Sequence, residues 1–123
     1  MLLTVALIAT ACDRRDERLQ KHDQKLESLA ASATAIGSAW LSGHTSGTYT
    51  LTSLEQTYVL VEKERAALAS SPDALVDPRG AKLSQSAERL SRVLAAMRYE
   101  VRRSDASSVR QRLRDIEGLT LER

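Results

Sequence analysis

One run of spacings restricts this chain more than any other feature. Between residues 83 and 101, apolar residues recur at Leu83, Ala87, Leu90, Leu94, Met97 and Val101, alternating by four and three without a break. A helix places all six on one stripe, whereas a strand would scatter them over both faces. Val93 widens the stripe, while Glu88, Arg89, Arg92, Arg98, Arg102 and Arg103 fall outside it. Such a helix owes most of its stability to having its apolar side covered. Other helices of the chain, or a partner, must therefore cover it.

The rest of the chain supplies candidates. Leu19, Leu26, Leu29, Ala33, Ile36 and Trp40 form a second seam at helical spacing, with His22 in its one gap. This predicts a first helix from about Asp13 to Leu41, ended by the glycines of "SGHTSGT", Ser42 to Thr48. A following helix carries Leu51, Leu54, Tyr58, Val61 and Leu68, with Arg65 in the stripe position between the last two and able to snorkel. Thr52 with Glu55, and Ser53 with Gln56, have the spacing of a capping box near its start. Both prolines stand in "SSPDALVDPRG", each after a capping residue, Ser71 or Asp77. Proline suits the first turn of a helix, so this segment reads as a short turn over Pro72–Val76 followed by a helix from near Pro78. Beyond Val101, Ser104 or Asp105 can cap a last helix carrying Val109, Leu113 and Ile116, either separate from its predecessor or continuous with it through a bend.

No segment alternates with period two or carries a hairpin signal. The expected fold is all-α, a small antiparallel three- or four-helix bundle. At 123 residues there is room for one such domain. With no Phe, one Trp and three Tyr, its core must be aliphatic. A body of this size is marginally stable unless an oligomer or a membrane helps. Trp40 and Tyr49 flank the glycine-rich turn and suit either the end of the core or an exposed anchor for a partner, with the core preferred.

The N-terminal segment has a different character. "MLLTVALIATA" holds no charge, and then comes Cys12, the only cysteine, followed by "DRRDER" with no apolar residue until Leu19. Eleven residues are too few to span a bilayer, which takes about 20. They match the apolar region of a signal peptide, with small residues, Ala9, Thr10 and Ala11, directly before the cysteine. "ATAC" resembles the lipobox of bacterial lipoproteins, with Ala9 where Leu is commonest; no Lys or Arg precedes the apolar run, which an upstream start would explain. The resemblance covers residues 1–13 only. It implies cleavage before Cys12, thioether-linked diacylglycerol on that sulfur, and a membrane-anchored protein on the periplasmic side. Asp13, directly after the cysteine, implies retention at the inner membrane rather than the outer. The organisation expected is therefore a signal peptide over 1–11, a lipidated cysteine and charged tether or helix start over 12–25, and the bundle over 26–123. The ordinary alternative is a free thiol beside an apolar N-terminal segment.

Little in the sequence suggests chemistry. One cysteine excludes an intrachain disulfide and a multi-cysteine zinc site. His22 and His44 have no metal-ligand spacing, and no phosphate-binding glycine loop or nucleophile elbow is present. No catalytic set, metal or cofactor is expected. From Asp13 to Pro78 there are seven Lys/Arg against ten Asp/Glu, and from Arg79 onward eleven against six. The basic half, with Arg92, Arg98, Arg102 and Arg103, is either a solvated helix face or a surface for an acidic protein or an anionic envelope component. Tyr99 is the only aromatic residue there, which argues against nucleic acid. The expected role is that of a non-enzymatic structural or interaction module of the bacterial envelope, binding an envelope partner or a second copy of itself. The alternative is a periplasmic small-molecule binding or sensing bundle with a pocket between helices.

Overall fold

The computed structural model of the protein describes the backbone of residues 2–121 and the side chains of residues 14–120. The chain is all-α. Its helices are α1 (Leu2–Leu41), α2 (Gly47–Ala69), α3 (Pro72–Val76), α4 (Pro78–Arg102) and α5 (Ala106–Leu121). The segment read as a turn is a single helical turn, α3. The last two helices are separate.

The breaks have local causes. At the end of α1, Gly43 takes a φ of 75°. Its N–H donates to the Trp40 carbonyl and that of His44 to the Ala39 carbonyl, the paired bonds of a Schellman ending. The α4–α5 break repeats this with a serine in the left-handed position. Ser104 has φ 55°, and the N–H groups of Ser104 and Asp105 donate to the carbonyls of Val101 and Glu100. Ser46 caps α2 by accepting from the Tyr49 N–H. The helix thus starts before the capping boxes expected at Thr52 and Ser53, and Thr52 instead donates to the Thr48 carbonyl inside it. Ser71 and Asp77 cap α3 and α4, each ahead of a proline.

The α4 stripe is buried throughout, from Leu83 to Val101, and Gly80 and Ser91 join it. Leu19, Leu26, Leu29 and Ala33 of α1 are buried, as are Val109 and Ile116 of α5. Trp40 packs against the main core cluster, whereas Tyr49 is exposed. The expectation for α2 needs correction. Its buried positions are Thr50, Leu54, Thr57, Val61, Glu64 and Leu68, an unbroken four-three alternation. Leu51 and Tyr58 are only half-buried, and Arg65 is exposed beside Glu62. The reason is chemical. The hydroxyls of Thr50 and Thr57 donate to the carbonyls of Ser46 and Ser53 one turn back, so both can be buried without an orphaned donor. Glu64 is buried because α1 brings His22 and Lys25 to it.

Helix pairing follows from side-chain links. Between α2 and α4, Ser91 donates to Glu62 and Arg98 lies 3.7 Å from Glu55, so residue numbers rise on one helix as they fall on the other. His22 of α1 contacts Glu64 of α2, and Arg112 of α5 lies 3.2 Å from Glu100 of α4. Buried apolar side chains form two clusters. The larger joins α1, α2, α4 and α5 through Leu29, Leu54, Leu94, Met97 and Ile116. The smaller joins α1, α2, α3 and α4 through Leu19, Leu26, Leu68, Ala74, Leu83 and Ala87. On α2, Glu64 falls between Val61 of the first cluster and Leu68 of the second.

Candidate functional site

The side chains of residues 1–13, including Cys12 and Asp13, lie outside the described residues. What the structure describes is the end of the bundle that follows them. Arg14 to Arg18 are largely exposed, and Leu19 is the first buried side chain described, 2% exposed. Over that stretch α1 is tied to α3 and α4 by ion pairs. Arg18 Nε stands 2.5 Å from Asp73 Oδ2, with Arg15 Nε at 3.7 Å from Oδ1. Arg79 Nη2 bridges Asp16 at 2.5 Å and Asp77 at 2.8 Å. The hydrogen bonds from the Arg79 side chain and backbone hold the Asp77 carboxyl at about 2, well below the ordinary carboxylate value, and the same partners raise the Arg79 guanidinium. Exposed pairs of this kind contribute little to stability, because solvent screens them. Their main effect is to set where α3 sits against residues 15–18.

Between the first half of α1 and the start of α4 lies a cleft of about 530 Å3. Leu19 and Leu83 supply apolar surface, and Asp16, Asp23, Arg79, Lys82 and Arg89 line it with both signs of charge. A small polar or zwitterionic molecule suits such walls better than an apolar one.

Deeper in the same half, Glu64 is 3% exposed. Its carboxylate contacts His22 Nδ1 through one oxygen, and Lys25 Nζ stands 3.7 Å from the other. A buried carboxylate needs such partners, because leaving it unpaired costs several kcal/mol. His22 was legible as a seam position. Glu64 was not, because a search for apolar residues passes over it. The usable signal was the four-three alternation itself, which runs through Thr50, Thr57 and Glu64 without a gap.

The four arginines singled out from the sequence do not converge. Arg98 reaches across to α2, 3.7 Å from Glu55 and with its guanidinium 5.7 Å from the centre of the Tyr58 ring. Arg92 pairs with Glu88 one turn back on its own helix. Arg103 donates to the Tyr99 hydroxyl and lies 5.3 Å from that ring. Arg102 sits in the last turn of α4, where a cation meets the negative end of the helix dipole. At 100° per residue, Arg98 and Arg102 share one side of α4, and Arg92 is on another.

Near the α4–α5 break, burial raises the Glu100 carboxyl above its ordinary value, against the opposing pull of the Arg112 charge. Asp105 caps α5, and its hydrogen bonds from Ser108 lower its carboxyl. Among the described residues no group of three or more His, Cys, Asp or Glu is placed to hold a metal, and no helix is long and apolar enough to cross a membrane. Neither family models, nor curated proteins, nor solved structures provide a match to this chain, so its functional reading rests on its own residues.

Proposed function

We propose that this chain is a lipid-anchored, non-enzymatic interaction module of the bacterial envelope. Segment 1–11 is removed as a signal peptide, Cys12 carries the lipid, and Asp13 favours the inner membrane, with the body on the periplasmic side. The observation that carries this reading is the border in the sequence: an uncharged apolar run, three small residues, the only cysteine, and then charge. Each acyl methylene buried contributes about 0.8 kcal/mol, and two or more chains hold a protein stably where one does not.

The body is an antiparallel bundle of four long helices, α1, α2, α4 and α5, with α3 as a one-turn connector. The first buried residue described, Leu19, follows Cys12 by only seven positions, which supports a body held close to its anchor. Its partner is another envelope protein, an anionic envelope component or a second copy of the chain.

Metabolic labelling with a clickable fatty acid tests the anchor. The wild type takes up label and Cys12→Ser does not; equal labelling of both would refute the assignment. Crosslinking in cells then identifies what the bundle touches. A second reading, a small-molecule binding bundle, draws on the cleft between α1 and α4. A Ser86→Trp substitution at the cleft wall would abolish binding of such a molecule while leaving lipidation intact.

A further inference from the structure

The ion-pair cluster and Arg92, Arg98 and Arg103 have partners within the chain. Two residues near the anchor end do not fit that pattern. Leu75 and Val76 of α3 are 73% and 66% exposed. They are more exposed than the other such aliphatic pair among the described residues, Val59 and Leu60 of α2 at 45% and 43%, and water favours covering apolar surface. Of the other α3 residues, Ala74 alone is buried, 7% exposed, and packs with Leu19, Leu26, Leu68 and Leu83. The turn therefore sits on the bundle by its small residue and presents its large ones outward.

We propose that Leu75 and Val76 form a shallow membrane contact, seated in the headgroup layer of the bilayer to which Cys12 is anchored. The inference rests on the anchor reading above. Three observations select a lipid surface as the occupant. The first is distance. Asp73 is held by Arg15 and Arg18, and the α4 N-terminus is held to Asp16 through Arg79, so α3 lies level with residues 15–18 of α1. At about 1.5 Å per residue these are roughly 5–9 Å along α1 from Cys12. The headgroup layer is about 5–7 Å deep on each side of a bilayer, so with α1 along the bilayer normal the level of α3 falls at the outer part of that layer.

The second observation is charge. The acids beside the pair would repel an anionic surface if free, but Asp73, Asp77 and Asp16 are each held by an arginine. Arg14 and Lys82 are exposed at the same end, as is Glu17, and the two cations can meet lipid phosphates. The third is attachment. Gly80 lets the start of α4 pack directly on the Ala74 backbone, so α3 is seated against α4 as well as pinned to α1. A contact that stays in place suits a fixed membrane orientation, which a lipid on one flexible sulfur would not impose.

Site-directed quenching tests this with the full chain purified in lipidated form. Leu75→Cys and, as the control, Tyr49→Cys each introduce a thiol at an exposed site. Tyr49 is 62% exposed and lies in the first turn of α2, just past the α1 C-terminus, the end of the bundle far from Cys12. Each thiol carries an environment-sensitive fluorophore, and the proteins are placed in phosphatidylglycerol-containing vesicles with nitroxide lipids. Circular dichroism checks that both variants keep the helicity of the wild type. The proposal expects quenching at position 75 and none at position 49. Equal quenching at both sites, or none at either, would overturn it. So would a probe at position 75 shielded from aqueous iodide yet not quenched by lipid, because a protein would then cover the pair. The anchor is read separately, from whether the wild-type chain, whose one thiol is Cys12, takes up maleimide. Labelled wild type means the anchor itself has failed and removes the basis for the contact; unlabelled wild type with an unquenched position 75 rejects the contact alone.

Discussion

Replacing Gly80 by alanine should destabilise this protein, although the same change in an ordinary helix interior stabilises. Alanine is favoured over glycine there by about 1 kcal/mol. At Gly80, however, an added Cβ would lie 1.9 Å from the Ala74 carbonyl oxygen and 2.4 Å from the Ala74 Cα. Ordinary contact requires a retreat of about 1.5 Å. The obstructing atoms are backbone, so no rotamer change can absorb the clash. Either α3 lifts from α4 or the first turn of α4 unwinds. Overpacking typically costs about 1–3 kcal/mol. Lifting α3 would also expose Ala74 and loosen the Asp73 links to Arg15 and Arg18, adding up to about 1 kcal/mol per ion pair. After the propensity gain is subtracted, the expected net loss is about 2 kcal/mol, a fall in Tm of about 8 °C for a domain of this size. Gly37→Ala supplies the comparison. Its added Cβ would meet Met97 Cε at 2.8 Å and Leu113 Cδ2 at 2.9 Å, the ends of flexible side chains that can turn aside, so its cost is smaller. Thermal and urea unfolding followed by circular dichroism measures both. A Gly80→Ala protein at least as stable as the wild type, or less affected than Gly37→Ala, would refute the backbone-contact argument.

Three further outcomes follow from the same geometry. His22→Ala leaves Glu64 buried with only Lys25 nearby and should cost about 2 kcal/mol in urea unfolding; His22→Leu combined with Glu64→Leu should recover much of it, since apolar replacement of a buried pair is often neutral or better. Ser104→Gly relieves a left-handed residue and should stabilise by about 1 kcal/mol, read as a higher urea midpoint. The third outcome concerns acid. Asp77 is held at about 2 against an ordinary 3.8, so its charge stabilises the fold above about pH 3.8 and that contribution is lost as pH falls through 2. Asp77→Asn should therefore fall furthest below the wild type above pH 4 and converge with it near pH 2. Glu100 has the opposite sign, because its folded value is raised: the neutral form stabilises below 4.5, and this is lost as pH rises through the folded value. Glu100→Gln should show its most favourable stability relative to the wild type at neutral pH.

Much of this architecture was legible in the chain because it depends on residues within a few positions of one another. The α4 stripe, the Ser71–Pro72 and Asp77–Pro78 starts, and the glycine end of α1 follow from helical period, a missing proline N–H and a left-handed turn. The border at Cys12 is legible for the same reason, being a change in local composition. The face of α2 was not legible. Threonine hydroxyls that bond their own helix can be buried as readily as leucine, and a glutamate can be buried once a histidine and a lysine 42 and 39 positions earlier are brought to it. The contact of Gly80 with Ala74 and the bridge from Arg79 to Asp16 likewise join residues whose approach no local rule specifies.

The sequence by itself determined that the chain forms helices, where α1 stops and α4 starts, and which face of α4 is apolar, because backbone hydrogen bonds and side-chain periodicity act within a turn or two. Only the tertiary structure decided which face of α2 turns inward, how closely α3 seats on α4, and which charges meet. Those outcomes depend on packing and desolvation between segments, and the energy of a buried group is set by the neighbour that the fold delivers to it.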